Sequence, residues 1–206
     1  YGLGRMAGYA IELYKHIEAE TGQPVSFHDC GSLRLAYTDD EVDWLRLTVS
    51  VGAALQHPME IIGPDQIRKR HPFYNLEGVK AALWTPEDGH VDPGGATFAL
   101  AAGARQAGAT IIRNNRVTDI RPEPHGEWRV CTERGDYVCE HVVNAGGTYA
   151  RQIGQWTGLD LPITCMTHHY LVTDTVPEFL ELDHELPVVR DDREVSGYVR
   201  MEQKSG

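Results

Sequence analysis

The chain of 206 residues is 41% hydrophobic and 24% charged, enough apolar material for one sizeable core or two small domains. Its 19 Lys and Arg are scattered among 30 Asp and Glu, for a formal net charge of −11, so no nucleic-acid partner is expected. No run approaches the roughly 20 apolar residues of a membrane span, and no stretch has the charged, apolar, small order of a signal peptide.

Residues 5–20 place Met6, Ala10, Leu13, Tyr14 and Ile17 at three-and-four spacing, which predicts a helix with one apolar face and Gly22 as its C-cap. PVSFHDCGSLRLAYT alternates as one or two strands, and DDEVDWLRLTVSVGAAL follows with an acidic start and helical periodicity. A short helix begins at Pro64, and Ala81–Thr85 reads as a strand. Asp92 and Pro93 open a helix over 93–107: the carboxylate accepts from free first-turn amides, and proline has no N–H to leave unpaired. Residues 110–113 and 116–121 read as strands, followed by an alternating pair, EWRVCTE and DYVCEHVVNA, joined at Arg134-Gly135. That turn sets Cys139 opposite Val130 and disfavours a Cys131–Cys139 disulfide. Cys30, Cys131, Cys139 and Cys165 contain no CxxC pair or zinc spacing and read as reduced thiols of an intracellular protein. Because the meander and the later segment 163–174 look antiparallel while other strands alternate with helices, the expected class is mixed α/β (α+β). One part is a nucleotide-type domain, and the other a mostly antiparallel sheet.

The stretch Val142-Val143-Asn144-Ala145-Gly146-Gly147 reads as a buried strand ending in a turn bare of side chains, with a helix over 149–157 straight after. Glycines there let a ligand approach the backbone, and free helix amides favour an anion such as a pyrophosphate; tight strand-helix packing explains them equally well. A second pattern, Gly2-Leu3-Gly4-Arg5-Met6-Ala7, matches the dinucleotide motif GxGxx[GA]. It lacks both the preceding strand and the later acidic residue that the motif needs, so it reads as accidental.

The segments YKHIEAETGQPVSFHDCGSLRLA, TPEDGHVDPGGATFALAAGARQAGATI, VVNAGGTYARQIGQWTGLDLPI, MTHHYLVTDTVPEF and LPVVRDDREVSGYVRME together resemble the flavin-dependent amine oxidoreductases of the D-amino-acid oxidase superfamily. The dimethylglycine and sarcosine dehydrogenase branch is the nearest match. The resemblance implies part of a Rossmann-like FAD-binding domain (1–26 and 89–160) and part of a substrate-binding domain (27–88 and 161–206). Since the chain starts at Tyr rather than Met and lacks the family's first strand, glycine motif and flavin-carrying histidine, it is expected to be an internal piece. The implied cofactor is FAD, covalent in this branch through a residue outside this chain, with tetrahydrofolate used by a later module. The implied partner is a small-molecule amine, the electron acceptor is left open, and the implied compartment is the bacterial cytoplasm or the mitochondrial matrix of a eukaryote. By the same correspondence the Val117 backbone meets the adenine, and Ala145, Gly146 and Gly147 line the flavin diphosphate. Tyr149 takes a position that is usually Trp.

The resemblance selects His168 as the histidine facing substrate and flavin, and Tyr198 as its partner. Both residue types suit the chemistry. An amine gives up hydride from the neighbouring carbon only when its nitrogen is unprotonated; a histidine can take that proton near neutral pH, and a tyrosine hydroxyl can hold the substrate in line. The alternatives are a hydrogen-bonded histidine filling a sheet and an ordinary half-buried strand tyrosine. On a strand, His168, Tyr170 and Val172 share one face and His169 the other, so the adjacent histidines do not share a metal, and no metal site is nominated. Arg190 and Arg200 suit either a substrate carboxylate or ion pairs with Asp191, Asp192 or Glu202. The reading is flavin-dependent oxidation of an N-methyl amino acid; the rivals are another oxidase of the superfamily and a cofactor-free binding or scaffold module of the same fold.

Overall fold

The computed structural model describes residues 2–193 and 196–202. In chain order the elements are α1 (Gly2–Thr21), β1 (Phe27–His28), β2 (Ser32–Ala36), α2 (Asp39–Ala54), β3 (Glu60–Ile62), α3 (Pro64–Arg70), β4 (Ala81–Thr85), β5 (His90–Val91), α4 (Pro93–Gln106), β6 (Val117–Pro122), β7 (Trp128–Thr132), β8 (Gly135–Cys139), α5 (Ala150–Trp156), β9 (Val188–Asp191) and β10 (Gly197–Val199). Two compact units result, Tyr1–Ala109 with Leu171–Gly206, and Thr110–Tyr170. No helix among the described residues is long and apolar enough to cross a membrane.

In the first unit the starts of α2 and α4 are set by side-chain caps. Thr38 accepts from the Glu41 amide while Glu41 reaches back to the Thr38 amide, a reciprocal box at the start of α2. Asp92 accepts from the Gly94 and Gly95 amides at the start of α4. Helix α1 ends where Gly22, at φ +72°, donates back to the Glu18 carbonyl. Its apolar face is only partly used: Leu13, Tyr14 and Ile17 pack on Val25, Ala96 and Ala99, whereas Leu3, Met6 and Tyr9 stay exposed. The amino-terminal half turns glycines inward instead. A Cβ at Gly4 would stand 2.4 Å from Leu55 Cδ1, and one at Gly8 would stand 2.2 Å from His57 Cε1. The glycines of the motif-like opening therefore lie in a helix, and Gly4 belongs to a packing face.

The main sheet runs β10-β9-β2-β4-β3, with β2 parallel to β9 and every other pair antiparallel. This is the mostly antiparallel sheet expected from the sequence. Strand alternation separates two cores: Leu33, Leu35, Ile62, Ile67 and Val189 form one, while Ala36, Val42, Leu45, Ala81 and Leu83 form the other with α2.

The second unit holds an antiparallel meander in the order β6-β7-β8. Thr132 pairs with Gly135, so the turn residues are Glu133 and Arg134, and Cys139 faces Trp128 rather than Val130. All four cysteines are free. Three expected strands are not formed. Residues 110–113, 142–144 and 163–174 carry no regular structure, and Val143 is 87% exposed where a buried strand was expected. Strand-prone residues need a neighbouring ladder to satisfy their backbone, and none of the described strands pairs with these runs.

Strands β1 and β5 form a separate two-stranded ribbon, pairing Phe27 with Val91 and His28 with His90. The ribbon depends on Gly89, where a Cβ would stand 1.8 Å from the His28 carbonyl oxygen and 3.1 Å from Asp29 Cα. Both obstacles are backbone, so nothing can swing aside. Gly89→Ala is expected to cost about 2 kcal/mol or more in urea unfolding, at the upper part of the usual overpacking range; an unchanged midpoint would contradict this close approach.

Candidate functional site

The glycine turn at the end of the 142–147 run assigns different tasks to its two glycines. Gly146 is a packing position, since its Cβ would stand 2.4 Å from Ile153 Cδ1, while Gly147 sits at φ +53° with nothing within 4 Å. The turn is therefore open at Gly147. Asn144, which the sequence reading passed over, clamps it: the side-chain amide donates to the Ala150 carbonyl at 2.9 Å and its oxygen accepts from the Gly146 amide at 3.1 Å. The expected helix over 149–157 is shorter, beginning with a 3-10 turn at Gly147–Tyr149 before α5. That turn ties the Tyr149 amide to the Gly146 carbonyl and the Ala150 amide to the Gly147 carbonyl. The expected row of free helix amides is thus already used at these positions. The Gly147 and Thr148 amides are not among the donors of these bonds. Ala145 and Tyr149 flank this backbone on the surface. Val117 opens β6, half-buried and opposite Thr132, next to a register shift before Asp119.

His168 lies in the segment without regular structure, so the expected alternation of faces does not apply: His168 and His169 are both exposed and Tyr170 is 90% exposed. The segment is nevertheless fastened to the glycine turn. The Thr148 hydroxyl is hydrogen-bonded with the Cys165 thiol, and that thiol also contacts the Thr148 carbonyl at 3.3 Å. Two residues, Met166 and Thr167, separate this tie from His168.

Tyr198 belongs to the other compact unit, in β10, opposite Arg190 and 67% exposed. Its hairpin is held by Asp191, which accepts from the Tyr37 hydroxyl at 2.9 Å, the Tyr74 hydroxyl at 3.1 Å and Arg193 at 3.0 Å. Arg190 pairs with Asp192 and Arg200 with Glu202, so both arginines are engaged in the ion pairs weighed above.

Near the same hairpin, local spacing misses a polar cluster. His28 Nδ1 and His90 Nε2 each lie 2.6 Å from a different oxygen of Glu185, and the two rings stack with centroids 4.6 Å apart. Burial works against the Glu185 charge, yet donation from His90 and His28 holds its carboxyl below the ordinary value. Arg200 Nη1 is 2.7 Å from His90 Nδ1. A guanidinium only donates, so the neutral His90 ring carries its proton on Nε2, toward Glu185. These groups line a cavity of about 550 Å³.

A meander, an open glycine turn and a mostly antiparallel second sheet are the parts of a flavin-type oxidoreductase fold. The chain belongs to the FAD dependent oxidoreductase family, whose model matches residues 1–205. It is 42% identical over 194 residues to the mitochondrial dimethylglycine dehydrogenase of Mus musculus, covering 94% of this chain and 22% of that protein. It is 30% identical to the mitochondrial sarcosine dehydrogenase of Homo sapiens, covering 91% of this chain and 20% of that one. The crystal structure of L-proline dehydrogenase from P. horikoshii superposes with a TM-score of 0.81 at 25% identity, over 98% of this chain and 53% of that one. The chain thus spans about a fifth of the curated relatives it matches.

Asp191 lends itself to measurement. Burial opposes its charge, but donation from Arg193, from the Arg193 amide and from Tyr37 and Tyr74 holds the carboxyl down at about 2. An unfolded aspartate titrates near about 3.9, so the folded value is the lower one. Its contribution is present above pH ~4 and is lost as the pH falls toward ~2. In urea unfolding across this window the wild type is expected to lose stability, while Asp191→Asn starts less stable at pH 7 and shows a flatter profile. Identical profiles would refute the anchoring role.

Proposed function

We propose that the protein carrying this chain oxidises an N-methyl amino acid such as dimethylglycine or sarcosine. The observation that carries the reading is the tie between Thr148 and Cys165, which keeps the His168 segment beside the open backbone at Gly147. The names of the relatives support the substrate class. In this reading residues 1–26 and 89–160 serve FAD, residues 27–88 and 161–206 serve the substrate, and the flavin is attached through a residue outside this chain.

FAD, when bound, supplies the acceptor for the hydride of the substrate methyl group. The chain's own residues prepare that event. Gly147 leaves its backbone bare for a phosphate, with Asn144 fixing the turn so that the approach needs no reorganisation. The imidazole of His168 takes the proton of the substrate ammonium, freeing the nitrogen lone pair that forms the C=N bond as the C–H bond breaks. The hydroxyl of Tyr198 holds the substrate carboxylate or nitrogen in line. The resulting iminium is hydrolysed to formaldehyde and the demethylated amine, or passes its carbon to tetrahydrofolate in another module of the whole protein. A eukaryotic source places this chemistry in the mitochondrial matrix, a bacterial one in the cytoplasm.

The protein carrying this chain is expected to purify yellow and to bleach when given dimethylglycine or sarcosine without oxygen. His168→Ala should slow that flavin reduction by about 100-fold or more, as the loss of a general base does. A colourless, unresponsive protein would favour the scaffold reading. A slowing of less than about threefold would return His168 to an ordinary surface residue.

A further inference from the structure

The geometry points to a binding site for one divalent transition-metal ion at His28, His90 and Glu185. One ligand atom from each side chain lies within 4.8 Å of the others, and two imidazoles with a carboxylate are a donor set for zinc and its neighbours in the first transition row. The set is built rather than incidental. The β1–β5 register places His28 directly across from His90, and the close approach at Gly89 fixes that register. Glu185 is set by its neighbour Leu186, which is 1% exposed and whose amide meets Met201 Sδ at 3.2 Å. The two short histidine-carboxylate hydrogen bonds lie where metal-ligand bonds would form, so binding requires each ring's single proton to sit on its other nitrogen, with little movement of the chain.

Access and charge agree with an exchangeable site. The His28 side chain is 44% exposed, and the cavity of about 550 Å³ leaves room for further ligands, which is the open arrangement of a metal that exchanges rather than the closed one of a structural zinc. Asp92 and Asp183 line the same cavity and add negative potential. Arg200 opposes the ion. A metal on His90 Nε2 requires the ring's single proton on Nδ1, where Arg200 now donates, so the guanidinium must turn away toward Glu202, already 2.6 Å from its other nitrogen. Arg200 thus sets an affinity ceiling.

The test uses the holoenzyme stripped by a chelator and titrated with Zn²⁺ against a chromophoric chelator at pH 7.5, with flavin content read on the same samples. One Zn²⁺ per chain is expected, weakened about 30-fold or more by Glu185→Gln and by His28→Ala, whereas Arg200→Gln tightens it about threefold or more. X-ray absorption of the zinc-loaded wild type should show two imidazole nitrogens and a carboxylate oxygen at about 2.0–2.2 Å, which keeps the proposal testable if Glu185→Gln fails to fold. No saturable zinc, or zinc held at wild-type affinity in both ligand variants, would overturn the site whatever the flavin does. The cluster would then be a hydrogen-bonded clasp only.

Discussion

The parallel pairing of β2 with β9 is the constraint on which the first unit depends. Ser32, Leu33 and Arg34 lie beside Val188, Val189 and Arg190, although the whole second unit intervenes in sequence. Closing so long a loop costs little more than closing a shorter one, since each doubling adds only about 0.6 kcal/mol. The pairing is repaid by burying Leu33 and Val189 in one cluster, and by an ion pair between Arg34 and Asp192 at 2.8 Å. The placement of the described residues from Glu185 onward follows from it. The returning strand carries Glu185 to the histidine ribbon, Asp191 to the two tyrosines, and β10 with Tyr198 to the sheet edge.

Elements that close within a few residues were legible in the sequence. Thr38 with Glu41, Asp92 with Pro93, and Gly22 after α1 mark helix ends because a cap is a local bond between near neighbours. The runs at 110–113, 142–144 and 163–174 were misread for the complementary reason. Val, Ile and Thr announce a side chain that fits a pleated surface, but a strand exists only where a second backbone completes it, and the partner is not encoded in the run itself. The meander erred by less: moving the turn from Arg134-Gly135 to Glu133-Arg134 shifts each partner on β8 by two positions. In α1 the apolar stripe was real, yet the neighbouring α2 terminus selected the glycine side, because Gly4 and Gly8 let Leu55 and His57 approach where larger side chains would not.

The candidate sites divide along the same line. His168 and Tyr198 came from resemblance, since no local pattern distinguishes a reactive histidine from a surface one. His28, His90 and Glu185 had no signal at all: Glu185 lies 157 positions from His28 and 95 from His90, and the register that joins the histidines belongs to strands of two residues each. Asp191 was visible only as one acid in a run of charges. Its role arises from Tyr37 and Tyr74, which reach it from elsewhere in the fold.

The glycine turn joins these strands of argument, because packing and ligand approach were competing explanations for the same pair of residues. The fold separates the two positions: one glycine is a packing position, and the next is left open. Gly146 is small so that Ile153 can close over it and fix α5 to the turn, whereas Gly147 adopts a positive φ and faces open space. The order matters physically. A backbone offered to a phosphate binds well only if it is already held in place, because ordering it on binding would cost free energy that the contact must first offset. Ile153 and the Asn144 clamp supply that rigidity from the protein side, and the thiol of Cys165 extends it to the segment bearing His168. Packing at one glycine is thus the condition for openness at the next.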